Sequence, residues 1–351
     1  MADEASAPAG STAGPGAVTR RGGLVAWAER RQVSLYLAAL AFGAGLGLAL
    51  PWPAAAGLAA GVNPTLGLLL FSTFLGVPFA RLAGGALRDW RFLLRLGLLN
   101  FLAAPVIVFC LFRFVAGDAA LLLGVLLVLL CPCVDYVIVF TGLAGGAADR
   151  LLAATPLLMC AQALLLPGYL WLFAGPSALA GLHPAPFAEA FVTLILLPLV
   201  AALTVQALER RLRWARYLHG AMSGLMVPIM MVVLALVVAS QISGVVAHLL
   251  ALATAALVFV LFAGCMTALG WAVGLPGGDR IDVPARRALL FSGVTRNSLV
   301  VLPLALATGH ALTPVVVVTQ TLVELFVMVT LVWAVPKIVS IKGCERPRSS
   351  P

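Results

Sequence analysis

Residues 129–142 read LLCPCVDYVIVFTG. The stretch lies within an apolar run long enough to cross a bilayer, yet it contains Pro132 and the carboxylate of Asp135. A proline removes a backbone hydrogen bond from a helix, and a charged side chain at the centre of a bilayer is costly. The stretch therefore predicts a membrane-spanning helix that is interrupted at a place where it carries polar groups.

The composition of the chain is that of an integral membrane protein. Of its 351 residues, 62% are hydrophobic and only 10% are charged, and the mean hydropathy is +1.10. Soluble domains contain far more charge. The six cysteines show no spacing typical of zinc ligands or of a disulfide framework, so we expect no metal site and no cofactor.

Apolar runs of roughly 20 residues predict ten membrane spans. The predicted spans are 33–50, 63–82, 92–115, 119–143, 151–174, 187–207, 216–240, 244–272, 286–308 and 314–337. With ten spans, all but two of the 22 Lys and Arg residues lie on one side, the exceptions being Arg113 and Arg296. The positive-inside rule then places both termini in the cytoplasm of a plasma-membrane protein. The net charge of +9 is thus a topology signal and indicates no nucleic-acid partner.

Two pairs of spans resemble each other. The stretches TPLLMCAQAL (155–164) and TPVVVVTQTL (313–322) share Thr-Pro, a Gln and a Leu at the same spacing, with an offset of 158 residues. LGVPFA (75–80) and LMVPIM (225–230) share a mid-span Val-Pro. An odd number of spans in each half makes the second half inverted. Inverted repeats are typical of secondary transporters, whose binding sites lie near the bilayer midplane.

We therefore predict a first repeat over 32–175 and a second over 186–338, which together form a transporter domain over 32–338. Residues 1–31, rich in Ala, Gly, Pro and Ser, predict a disordered cytoplasmic tail, and 339–351 a cytoplasmic C-terminal tail. The predicted fold class is an all-α integral membrane protein with crossed, discontinuous helices 4 and 9.

The second predicted break lies in span nine, which reads FSGVTRNSLVVLP (291–303). Here Gly293 precedes a polar run that contains Arg296. Asp135 and Arg296 each lie about halfway along their spans. They are 161 residues apart, close to the repeat offset of 158, so they occupy nearly equivalent places in the two halves. We therefore expect them to approach each other where the broken helices cross. The half-helix N-termini would suit an anion or a polar solute. The alternative is an ion pair with a purely structural role.

The candidate substrate-binding residues all lie at these two breaks: Cys133, Asp135, Ser292, Thr295, Arg296 and Asn297. Asp135 and Glu324 are the candidates for a coupling proton. Glu324 lies one helical turn after Gln320, and Gln162 occupies the position of Gln320 in the first repeat. The two glutamines are either ligands or interhelical hydrogen-bonding groups. We expect Asn100, in span three, to serve packing.

At these residues the chain resembles the bile acid:sodium symporter superfamily and, within it, the arsenite permeases of arsenical resistance. The resemblance covers about 32–338 and rests on CPCVDYVIVFTGLAGG at span four and SGVTRNSLVVLPLALA at span nine. It implies a core domain of spans 3–5 and 8–10, and a panel domain of spans 1, 2, 6 and 7 that rocks against the core. It further implies efflux of arsenite, a metalloid substrate, across the lipid bilayer. A homo-oligomer is left open.

Sodium-coupled members of the superfamily carry Glu-x-Gly-x-Gln-Asn at span nine. The matching stretch here is Ser292-Gly293-Val294-Thr295-Arg296-Asn297, so the carboxylate is lost and an arginine stands at the glutamine position. A fixed cation opposes sodium binding, and Arg296 would stand in for the ion. The glutamate that arsenite permeases carry at span nine falls near Leu299, so Asp135 or Glu324 would carry the proton instead.

The resemblance also gives the cysteines a use. Arsenite permeases require a cysteine after the proline of span four, which is Cys133 here. Trivalent arsenic bonds thiolate sulfur, so Cys133 would bind it during passage, assisted by Cys131 and Cys160. The alternative is that cysteine only fills apolar space.

Other functions fit the sequence less well. An intramembrane aspartyl protease needs two carboxylates close together, and only Asp135 and Glu324 are available; the zinc-protease motif His-Glu-x-x-His is missing. A channel filter or a ring of like charge is missing too. We expect a transporter and not an enzyme. The main alternative is transport of an organic anion, with Arg296 and the half-helix N-termini binding its carboxylate.

Overall fold

The computed structural model describes residues 23–77, 89–134, 136–180, 189, 192–209, 211–273 and 281–339. These residues form twelve helices and no β-strand. The helices are α1 (Gly23–Ala49), α2 (Trp52–Gly76), α3 (Trp90–Phe114), α4 (Ala119–Leu129), α5 (Tyr136–Leu143), α6 (Ala148–Ala180), α7 (Leu197–Glu209), α8 (Arg213–Ala247), α9 (Leu249–Val273), α10 (Val283–Val294), α11 (Ser298–Ala307) and α12 (Leu312–Ile338). A π-helical turn, Leu99–Ala103, lies within α3, and another, Val192–Leu196, precedes α7.

Six of these helices are long and apolar enough to cross a membrane: α2, α3, α6, α8, α9 and α12. Helices α1, α4, α7 and α11 contain shorter apolar segments. The predicted class, an all-helical protein with several apolar helices, is confirmed.

The first helix begins earlier than the sequence predicted. Helix α1 begins at Gly23, so residues 23–31, which we assigned to the tail, are helical. No proline or further glycine occurs between residues 24 and 31, and Leu, Ala, Glu and Arg in this stretch are all good helix formers. The helix therefore continues outward beyond its apolar part.

The helices pack in two groups. Helices α1, α2, α7 and α8 contact mainly one another, while α3–α6 and α9–α12 form the second group. In the first group α1 and α8 approach each other closely, because Gly43 and Gly47 face the backbone of α8 at Ala235 and Ala239. A Cβ atom at Gly43 would lie 2.5 Å from the Ala235 carbonyl oxygen. Small residues allow this close backbone contact between apolar helices.

Both predicted interruptions are present in the second group. Helix α4 ends at Leu129 and α5 begins at Tyr136, while α10 ends at Val294 and α11 begins at Ser298. Because a helix end leaves backbone groups without intrahelical partners, each interruption places such groups in the interior of the protein. We refer to residues 130–134 as the first break and to residues 295–297 as the second break.

Arg287 joins two helix ends in the second group. Its side chain is 8% exposed. Its Nη1 donates to the carbonyl of Ala144, just after α5, over 2.9 Å, and its Nε and Nη2 donate to the carbonyl of Val339, just after α12, over 3.1 and 2.8 Å. These carbonyls have no partner within their own helices. Arg287 therefore ties α5 and α12 to α10.

Candidate functional site

The two breaks lie side by side and pair through their backbones. The amide of Cys133 donates to the carbonyl of Thr295 over 3.3 Å, and the amide of Asn297 donates to the carbonyl of Cys131 over 2.9 Å. The pairing is antiparallel. Irregular backbone at membrane depth is tolerated only where its polar groups find partners, and here the breaks supply partners for each other.

Arg296 is completely buried in the second break. Its backbone pairs with that of Pro132. Its Nη1 donates to Oδ1 of Asn100 over 3.3 Å, and its Nη2 donates to the carbonyl of Gly293. The guanidinium carbon lies 4.8 Å from the ring centroid of Phe262. A buried cation needs such contacts, because hydrogen bonds and an aromatic face replace part of its lost hydration.

Glu324 of α12 is 3% exposed and accepts hydrogen bonds from the start of α5, from the second break and from its own helix. Its Oε1 accepts from the hydroxyl of Tyr136, the first residue of α5, over 2.9 Å. Its Oε2 accepts from the amide of Arg296 over 3.0 Å and from Nε2 of Gln320. The predicted neighbourhood of Gln320 and Glu324 is therefore present. The carboxylate links α12 to the start of α5 and to the second break.

The first break supplies Cys133, and its thiol is buried. Asp135 lies outside the described residues. The expected approach of Asp135 to Arg296 therefore stays a prediction.

The remaining residues predicted at span nine hold the second break in shape. Ser292 Oγ accepts from Nδ2 of Asn100 over 3.0 Å. The Thr295 hydroxyl donates to a carbonyl one turn back in α10 over 2.7 Å. Asn297 caps α11, its Oδ1 accepting from the amide of Val300 over 3.2 Å.

We name the place where the two breaks pair the crossing. Several buried polar atoms at or beside it have no hydrogen-bond partner among the protein atoms: Arg296 Nε, Asn297 Nδ2 and Gln320 Oε1. Native proteins leave few such atoms unpaired, so their grouping points to a place that takes water or a polar ligand. A cavity of about 10 Å³ adjoins Gln320, Glu324 and Phe262. That volume holds at most one water molecule.

Gln162 lies elsewhere. It borders a cavity of about 130 Å³, which we name the Cys131 cavity, and its Oε1 has no partner. Cys131, Met159 and Cys160 line the same cavity. Among the described cavities, Gln320 borders a different one, beside Glu324. The two glutamines that match in sequence thus have different surroundings.

A larger cavity of about 440 Å³ lies where the two groups of helices face each other. Helices α1, α5 and α8 line it, with Gln32, Tyr36, Tyr136, Ser223, Met226 and Met230 among the lining residues. We name it the Tyr136 cavity. It is wide enough for a small organic molecule.

Sequence reasoning missed two residues of the site. Asn100, expected to serve packing, contacts both Ser292 and Arg296. It lies in the π-helical turn of α3, and such turns are frequent at functional sites. Tyr136 was not singled out, although it follows Asp135 directly. An amide within an apolar span and a tyrosine beside a break were the available signals.

Comparison with known protein families gives a match. The family model described as the Sodium Bile acid symporter family matches residues 63–248. This range is a little over half of the chain; it contains the first break and ends before the second. A comparison with curated proteins finds no match.

Proposed function

The chain belongs to the sodium bile acid symporter family, whose membership indicates a multi-pass secondary transporter, and from this premise we propose that it exports arsenite. The proposed mechanism is alternating access without sodium, driven by exchange for protons. The protein binds its substrate between the two groups of helices and opens to each side of the membrane in turn.

The proposed architecture has ten spans in two inverted repeats. Helices α4 and α5 form span four, and α10 and α11 form span nine. The antiparallel pairing of the two breaks supports the inversion. Helices α1, α2, α7 and α8 are the panel that rocks against the remaining core, and the Tyr136 cavity between them supports this division. The charge distribution supports cytoplasmic termini in a plasma-membrane protein.

The observation that carries the arsenite proposal is the presence of sulfur-containing side chains in the first break and in the part of α6 that shares a cavity with it. Cys131, Met159 and Cys160 line one cavity, and Cys133 follows Pro132 in the same break. Cysteine thiols and the methionine thioether are soft ligands, which suit a thiophilic element such as trivalent arsenic. Arsenite would bond transiently to these thiols as it passes the crossing.

Arg296 supports the proposal that transport is not coupled to sodium. Its guanidinium is buried in the stretch that corresponds to the sodium-ligating motif of the superfamily, and it is held there by Asn100 and Gly293. A second cation at this place would be repelled. The coupling ion would then be a proton, with Glu324 as the described carboxylate that contacts both sides of the crossing.

Transport of an organic anion is the second candidate, and the volume of the Tyr136 cavity favours it. About 440 Å³ is far more space than arsenite needs and is in the range of sites for small organic molecules. For Arg296 to bind a carboxylate in this cavity, however, its guanidinium would have to leave Asn100 and Gly293.

An arsenite-sensitive host separates the two candidates. Expression of the wild-type chain should confer resistance to arsenite, and Cys133→Ser should remove it. The matched control is Cys265→Ser, which changes an exposed cysteine of α9 and should leave resistance intact. Uptake assays with arsenite, arsenate, antimonite and carboxylates complete the test. Carboxylate transport without arsenite resistance would overturn the arsenite proposal.

A further inference from the structure

Tyr136 connects the Tyr136 cavity with the buried carboxylate of Glu324. Its side chain lines the cavity, and its hydroxyl lies 2.9 Å from Glu324 Oε1. The same hydroxyl lies 3.3 Å from the carbonyl of Arg296. The other described partners of Glu324, which are Gln320 and the Arg296 amide, do not line this cavity. Among the described hydrogen-bond partners of Glu324, Tyr136 is therefore the one that also lines the cavity.

We propose that the hydroxyl of Tyr136 is the relay that passes protons between the Tyr136 cavity and Glu324. The inference rests on the proposed exchange of substrate for protons and adds the route that the proton takes. A tyrosine hydroxyl donates one hydrogen bond and accepts others, as a relay requires.

The relay step conserves protons and charge. A hydronium ion in the cavity gives a proton to the Tyr136 oxygen while the hydroxyl proton passes to Glu324 Oε1. A water molecule remains in the cavity, Tyr136 is again a neutral hydroxyl, and Glu324 has become a neutral carboxylic acid. Reversal of these transfers returns the proton to the cavity.

Protonation of Glu324 would change the contact that joins α12 to the second break. The Arg296 amide donates to the Glu324 carboxylate, and a hydrogen bond to a charged acceptor is stronger than one to a neutral acid. The relay thus couples the proton concentration in the Tyr136 cavity to the strength of the hydrogen bond between the Arg296 amide and Glu324.

Other ionisable groups lie in the two breaks. The Arg296 guanidinium lies in the second break, and the thiols of Cys131 and Cys133 lie in the first. The described residues of α4, α9 and α10 that line the small cavity beside Glu324 are apolar. Asp135 lies outside the described residues, so its variant Asp135→Asn belongs in the experiment.

The experiment is an acid pH jump on the purified full-length protein, followed by time-resolved infrared spectroscopy. The carbonyl band of the protonated acid should appear in the wild type and in Asp135→Asn but not in Glu324→Gln, which assigns the band to Glu324. In Tyr136→Phe the band should rise at least about tenfold more slowly, because the ring remains while the transferring hydroxyl is lost. Its final amplitude should match the wild type, since Glu324 remains the proton acceptor, and this amplitude also reports an intact site.

Tyr169→Phe is the matched control, because it removes a hydroxyl that donates to the carbonyl of Phe101, away from Glu324. In this variant the carbonyl band of protonated Glu324 should rise at the wild-type rate. A wild-type rate in Tyr136→Phe would overturn the relay, and so would a wild-type spectrum without a Glu324 band. The arsenite resistance assay reads the proposed function separately, so failure of one can be told from failure of the other.

Discussion

The backbone amide of Arg296 donates a hydrogen bond of 3.0 Å to the carboxylate of Glu324. This contact places the anion of α12 against the second break, at a residue whose own side chain is a buried cation. The hydroxyl of Tyr136 reaches the other oxygen of the same carboxylate. A change of charge at Glu324 would therefore alter a hydrogen bond to each of the two discontinuous helices.

Glu324→Gln should remove the pH dependence of transport. The amide keeps the size of the side chain and can still accept from the Arg296 amide, but it cannot take up a proton. Initial rates of transport measured over a pH series should vary in the wild type and be flat and low in the variant. Glu209→Gln is the control, since Glu209 pairs with His219 at the partly exposed ends of α7 and α8. A variant with the wild-type pH profile would exclude Glu324 as the coupling residue.

Arg296→Ala should abolish transport, because it leaves Asn100 and the carbonyl of Gly293 without their buried partner.

The double variant Ser292→Glu with Arg296→Gln restores the superfamily's sodium-ligating pattern at these two positions. We expect it to show transport that sodium stimulates, while the wild type responds to sodium no more than to choline. Sodium-stimulated transport by the wild type would contradict the role assigned to Arg296.

Asn100→Leu should weaken both folding and transport. The apolar side chain leaves the Arg296 guanidinium and the Ser292 hydroxyl each short of one partner, at a cost of about 1–3 kcal/mol for each unpaired group. Asn100→Asp keeps an acceptor for Arg296 and should retain more activity. Thermal unfolding in detergent and initial transport rates check this prediction. Both the unfolding midpoint and the rate should fall from the wild type to Asn100→Asp and further to Asn100→Leu. Equal activity of the Leu variant and the wild type would show that Asn100 serves packing alone.

Arg287→Gln should lower stability, because the shorter neutral side chain cannot reach the carbonyls of both Ala144 and Val339. Hydrogen bonds from a charged donor contribute about 1.5–3 kcal/mol each, so the unfolding midpoint should fall clearly. Arg211→Gln, at an exposed position between α7 and α8, is the control and should unfold like the wild type. An unchanged midpoint in Arg287→Gln would contradict the role of Arg287 as a link between helix ends.

Local sequence signals predicted the breaks, while the contacts around them depend on distant residues. Pro132 and the polar run after Gly293 mark places where a membrane-spanning helix is weakened, and both breaks are present there. Glu324 was expected to be functional because an ionisable side chain within a membrane span is energetically costly. Its hydrogen bond from the Arg296 amide could not be predicted, because every residue offers a backbone amide and only packing selects one.

The role of Asn100 shows the same limit. Asn100 and Ser292 are separated by 192 positions, and no spacing rule relates them. The π-helical turn that holds Asn100 contains neither proline nor glycine, and its nearby sequence signal is Pro105, which cannot donate to the carbonyl of Phe101. Helix-forming residues likewise extended α1 back to Gly23, although the Ala, Gly, Pro and Ser content of residues 1–31 had suggested a tail.

The most direct test of the central claim, that Arg296 replaces sodium and Glu324 carries the proton, is arsenite transport by purified protein in liposomes under imposed gradients. The account predicts that a pH gradient drives arsenite accumulation against its own gradient and that a sodium gradient alone does not. Accumulation driven by the sodium gradient and indifferent to pH would contradict it.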